Sequence, residues 1–224
     1  NNISISSTHS DDRVTSLTTL GEDQSLELVG IKDGDSGASS ITDGGIKITQ
    51  ASPIEVLNLS LDDIGPDESI REENLVIDIA GSGVGIANIN IKNDNFIFLE
   101  NSGGKLTTIN LNGIGKLEIS NVLENSVKSI QGENTVADLK FSSSSKDAII
   151  VTGHGADSVT LTDGKANLKT NNGDDFVSIL NGSDHYVETG NGNDNRAITG
   201  VGFQPDWVWI KGRNNGESTW HDSI

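Results

Sequence analysis

Apolar and polar residues alternate with a period of two in short runs along most of the chain. Leu26-Glu-Leu-Val-Gly-Ile31, Ile46-Lys-Ile-Thr49, Val56-Leu-Asn-Leu-Ser-Leu61 and Leu75-Val-Ile-Asp-Ile-Ala80 open the series. Further runs lie at Ile86 to Ile91, Phe96 to Leu99, Thr108 to Leu111, Leu117 to Ile119, Val127 to Ile130, Leu139 to Phe141 and Ala148 to Val151. Successive strand side chains point to opposite faces, so this alternation predicts half-buried β-strands. From Leu117 onward the strand centres fall every nine to twelve residues, near Leu117, Val127, Leu139, Ile149, Val159, Leu168 and Val177. A short, steady step without helical inserts predicts stacked coils. The expected fold class is all-β, a parallel β-solenoid of the β-helix or β-roll kind.

The separators between runs carry turn chemistry. Asn112-Gly113, Asn172-Gly173, Asn181-Gly182 and Asn191-Gly192 pair two residue types that readily take positive φ. Residues Asp62 to Glu73 are acidic, contain Pro66 and lack alternation, which predicts a loop or short helix between two β regions. Residues 1–25 are rich in Ser, Thr and Asp with weak alternation at Ile3, Ile5, Val14 and Leu17. They read as a linker or a first coil, with residues 1–12 read as solvated linker.

One stretch has a stricter period. Gly155, Gly164, Gly173, Gly182 and Gly192 recur at steps of nine, nine, nine and ten, with Asp157, Asp175, Asp184 and Asp194 two places after four of them. Three fuller copies are Thr152-Gly-His-Gly-Ala-Asp-Ser-Val-Thr160, Thr170-Asn-Asn-Gly-Asp-Asp-Phe-Val-Ser178 and Thr189-Gly-Asn-Gly-Asn-Asp-Asn-Arg-Ala197. The pattern resembles the RTX nonapeptide G-G-x-G-x-D-x-U-x, where U is a large apolar residue.

That resemblance implies a roll in which two nonapeptides make one coil and turns on the same edge are stacked. Asp157 and Asp175 lie 18 apart and Asp175 and Asp194 lie 19 apart, so they would share an edge. Calcium takes six to eight oxygen ligands, which stacked turns supply as carboxylates and backbone carbonyls. The resemblance therefore implies one calcium ion between the Asp157 and Asp175 turns and a second between the Asp175 and Asp194 turns. Gly155, Gly173 and Gly192 would shape those turns, and affinity would fall at about 0.1 to 1 mM.

On the other edge Ala166 replaces the first carboxylate, so a site with Asp184 would be weaker or absent. Arg196 stands at the apolar position taken by Val159, Leu168, Val177 and Tyr186, which predicts the end of the roll. The competing reading is that these turns close β-arcs without metal.

Two further resemblances frame this region. Leu106 to Ile119, continuing through Val127 to Ile130, is similar to the calcium-binding solenoids of bacterial surface-layer proteins, over residues 75–198. After Ile198 the character changes to Thr199-Gly-Val-Gly-Phe-Gln-Pro-Asp-Trp-Val-Trp-Ile-Lys-Gly-Arg213. This string resembles a segment of tailed-phage structural proteins that opens a β-sandwich-like module, and implies a virus particle. An alternative role for Phe203, Trp207, Trp209 and Ile210 is to cap the open end of the stack. The expected organisation is a linker or first coil at 1–25, a solenoid at 26–151, a calcium-binding roll at 152–198 and the start of a truncated C-terminal module at 199–224.

Charge narrows the partners. Fifteen basic against 33 acidic residues give −18, which repels a phosphate backbone and attracts divalent cations, so nucleic acid is not expected. There is no cysteine for disulfides or thiolate metal sites, and no apolar run long enough for membrane insertion.

Catalysis is not expected either. Gly34-Asp-Ser-Gly37 resembles the nucleophile loop of trypsin-like proteases, but only 33 residues precede it. Gly81-Ser-Gly-Val-Gly85 lies between strands with no helix signal behind it, and neither H-E-x-x-H nor G-x-S-x-G occurs. None of His9, His154, His185 and His221 has a catalytic partner in view.

The expectation is a structural protein of a virion, such as a tail fibre, appendage or capsid-surface component, at the virion surface or otherwise extracellular. Its partners would be other copies or other particle proteins, in a homo-oligomer, and a host-surface receptor or glycan. The alternatives are an S-layer-like cell-surface protein and the calcium-binding secretion tail of an exported hydrolase.

Overall fold

Parallel pairing joins every second strand between residues 2 and 188. The computed structural model describes residues 2–6, 14–17, 24–31, 45–49, 54–65, 75–81, 83–182, 184–192, 208–211 and 218–221. One sheet contains nine strands in chain order: β1 (Asn2–Ser6), β3 (Ser25–Val29), β5 (Val56–Asp62), β7 (Ile86–Ile91), β9 (Thr108–Gly113), β11 (Ser129–Gln131), β13 (Lys146–Val151), β15 (Lys165–Lys169) and β17 (Tyr186–Glu188). The other contains eight: β2 (Val14–Leu17), β4 (Gly45–Ile48), β6 (Leu75–Ile79), β8 (Asn95–Glu100), β10 (Lys116–Leu123), β12 (Asp138–Ser143), β14 (Ser158–Leu161) and β16 (Phe176–Ile179). Each coil thus gives one strand to each sheet, and the chain is a parallel β-solenoid. No helix occurs among the described residues.

Register explains why the alternation works. Leu59 pairs with Leu26 and Ile89, and Ile89 pairs with Leu111, so apolar columns run along the inside of one sheet. Phe141, Val159 and Val177 form a corresponding column in the other. These side chains are buried, each contributing about 1.5 to 3 kcal/mol of apolar transfer. A one-residue slip would turn a whole column outward, so the pattern holds the register.

The coil shortens toward the C-terminus. Asn58 pairs with Asn88, Asn88 with Asn110, Ser129 with Ile149 and Lys140 with Ser158, corresponding to coils of 30, 22, 20 and 18 residues. Both sheets run unbroken past residue 152, so the eighteen-residue coils differ from those before them in length and not in fold. At the other end β1 pairs with β3 and β2 with β4, which places the start of the stack upstream of residue 26.

Near the C-terminus β18 (Val208–Lys211) and β19 (Ser218–His221) form an antiparallel pair with Trp209 in register with Trp220. Gly34 to Gly37, the acidic stretch after Gly65, Asp194, Arg196, Phe203 and Trp207 lie outside the described residues.

Candidate functional site

Spacing decides which way the aspartates point. Asp157 and Asp175 stand two residues before Val159 and Val177, and a period of two puts them on the same inward side as those valines. They occupy the corners that lead into β14 and β16, and are 1% and 3% exposed. On β13 Ile150 and Thr152 are buried and Ile149 is exposed, so the inward parity shifts by one residue at the corner before Asp157.

The glycines are first a stacking requirement. Gly173 has φ +137°, and a Cβ there would lie 1.9 Å from the Gly155 carbonyl oxygen. A Cβ on Gly155 would lie 2.2 Å from the Ala137 carbonyl oxygen. The turns therefore approach one another more closely than any side chain permits. The third turn joins the same edge, since Asn172 bridges Asn191 and Gly173 N–H donates to the Asn191 carbonyl at 3.1 Å, which brings Gly192 beside this stack.

The inward carboxylates bind main chain of the preceding coil. Leu139 N–H donates to Asp157 Oδ1 at 2.9 Å, and Asp157 N–H donates to Asp175 Oδ1 at 3.0 Å. The exposed Asp138 does the reverse, accepting from Ala156 N–H of the following coil at 2.7 Å. Asp157 and Asp175 each satisfy a buried donor at a corner, where burial without a partner would be costly.

That leaves two buried oxygens on the same edge without a hydrogen bond of ordinary geometry, Asp157 Oδ2 and Thr170 Oγ1. Burial pushes the Asp157 carboxyl from 3.8 up to about 7, and the neighbouring Asp175 charge pushes in the same direction. The Thr152 hydroxyl and the Leu139 and Gly153 N–H groups act against that rise without cancelling it. Among the described residues, the hydrogen bonds at this corner do not offset the cost of burying the charged carboxylate.

The opposite edge is built differently. Asn167 pairs with Tyr186 and Leu168 with Val187, so the coil here is one residue longer than eighteen. Val187, not Tyr186, continues the apolar column, and Tyr186 is exposed. His185 therefore stands opposite Ala166, and Ala166 N–H donates to His185 Nδ1 at 3.2 Å. The imidazole takes the acceptor role that a carboxylate takes on the first edge. Asp184 is exposed, at φ 58°.

Among the described residues no three His, Asp or Glu side chains converge on a metal-binding point. An ion on the first edge would draw most of its ligands from backbone carbonyls. The orphaned Asp157 Oδ2 and the raised proton affinity of its carboxyl fit a cation there. On the second edge Ala166 offers no side-chain oxygen and the His185 ring is already engaged, so those residues do not fit one. His154 Nδ1 lies 3.1 Å from Asn172 Nδ2 at the exposed rim of the first edge.

Comparison of the chain with protein-family models, curated proteins and solved structures returns no match.

Proposed function

We propose that the chain is a structural spacer on the surface of a virus particle, within a tail fibre, appendage or capsid-surface component, in which calcium locks the eighteen-residue coils together. The observation that carries the calcium reading is Asp157. One of its oxygens caps Leu139 N–H of the coil before, and the other is buried without an ordinary partner. Asp157 and Asp175 with the carbonyls of the turns at Gly155 and Gly173 would hold the ion, as would Gly192 with Asp194 for a second one. Bound calcium supplies the positive charge that the buried carboxyl lacks.

The spacer reading rests on the architecture. In a stack each coil contacts its neighbours, and stiffness comes from pairing repeated along one direction. The particle reading rests on the resemblance of Thr199 to Arg213 to phage structural proteins. An S-layer-like role at a cell surface is the second reading, favoured by the unbroken stack across residue 152. Gold-labelled antibody against the chain separates the two in electron micrographs of purified virions and of producing cells. Label on virions supports the first reading, and label confined to the cell envelope overturns it.

A further inference from the structure

We propose that the outer face of the nine-stranded sheet across β3, β5, β7 and β9 binds a neutral oligosaccharide. A groove of about 520 Å³ lies on this face, within the usual range for ligand sites. Its floor is two columns of outward residues. Ser25, Asn58, Asn88 and Asn110 pair in one, and Glu27, Ser60, Asn90 and Asn112 in the other. Strand spacing and rise set these columns on a grid of about 4.8 by 6.6 Å. The chain therefore presents polar groups at a separation that neighbouring hydroxyls of one sugar chain can span.

The amides are held in order and not used up. Asn88 Nδ2 donates to Asn58 Oδ1 at 2.9 Å, Asn110 Nδ2 to Asn88 Oδ1 at 2.8 Å, and Asn90 Nδ2 to Ser60 Oγ at 3.3 Å. An amide has two donors and two acceptor lone pairs, so each keeps capacity after the ladder is made. The capacity left on Asn58, Asn88, Asn90 and Asn110, together with the exposed Asn112 amide, is what a ligand would meet. Pre-ordered side chains lose little entropy on binding.

Charge selects the ligand class. In a chain of net charge −18, the groove's one lysine, Lys92, is paired with its one carboxylate, Glu27. A floor without excess charge favours neither a metal ion nor a polyanion. An extended peptide would add to an open sheet edge, and this face lies over paired strands. An uncharged polyhydroxyl chain both donates and accepts at each ring and matches the floor. This site would serve surface contact in the function proposed above, but it stands on the groove alone and does not depend on calcium or on the particle.

Titration calorimetry of the whole chain with cellohexaose, maltohexaose, mannohexaose and chitohexaose tests it. The expected result is binding of at least one at millimolar or tighter affinity, weakened about fivefold or more in both Asn112→Ala and Asn90→Ala. Asn167→Ala, exposed on β15 of the same sheet and outside the groove, should leave the affinity unchanged, and circular dichroism should show all three variants folded. No binding of any of the four at about 10 mM overturns the proposal. So does binding that survives both groove substitutions, or binding only of a heparin hexasaccharide.

Discussion

Asp157 N–H donates to the Asp175 carboxylate across one coil, at 3.0 Å, while the Asp157 carboxylate in turn accepts from Leu139. The same residue is a donor to one coil and an acceptor for the other. The aspartates of the glycine ladder are thus part of the stack before any ion is considered. A cation would add to this arrangement by balancing charge that the hydrogen bonds leave.

The first prediction concerns pH. The Asp157 carboxyl titrates near 3.8 when unfolded and at about 7 when folded. Between those values the folded chain holds a proton that the unfolded chain releases, so stability is present below the lower value and is lost as pH rises through the upper one. Above pH 7 the loss is on the order of 4 kcal/mol. In chelator, urea denaturation from pH 4 to 8 should show this decline in the parent and a flatter profile in Asp157→Asn. Parallel profiles would remove the buried charge from the account.

A second prediction separates stacking from conformational freedom. Gly173→Ala should cost well over 2 kcal/mol, because the new methyl meets the Gly155 carbonyl at 1.9 Å on a backbone of φ +137°. Gly104→Ala, at φ +64° with nothing within 4 Å, should cost about 1 kcal/mol. Chemical denaturation of the two variants reads the difference, and equal costs would contradict the close stacking of the turns.

The one-residue offset at β17 yields a third. His185→Ala leaves Ala166 N–H without its acceptor and should cost about 1 to 2 kcal/mol. Asp184→Asn, at an exposed position where Asn also tolerates positive φ, should change stability by no more than about 0.5 kcal/mol. The reverse ordering in urea denaturation would put Asp184, and not His185, opposite Ala166.

The strands from Ser25 to Glu188, the parallel stack and the edge shared by Asp157 and Asp175 were legible in the sequence, because each follows from a fixed period, whereas β1 lies in the weakly alternating stretch that reads as linker. His185 was not, since a strict nine-residue step points to Asp184, and only the pairing of Leu168 with Val187 reveals the extra residue. The amide columns were hidden for a related reason. Asn58, Asn88 and Asn110 are 30 and then 22 residues apart, so unequal coil lengths conceal a column that is regular in space.

Calorimetric melting with and without calcium tests the central claim most directly. Asp175→Asn is the informative partner, because its side-chain oxygen can still accept from Asp157 N–H while the charge is removed. With affinity near 0.1 mM, about 10 mM calcium should stabilise the parent by about 2.7 kcal/mol, raising Tm by roughly 5 to 10 °C. That rise should be largely lost in Asp175→Asn. A parent Tm unchanged between exhaustive chelation and about 10 mM calcium would contradict the clamp and leave the aspartates as hydrogen-bonding corner residues alone.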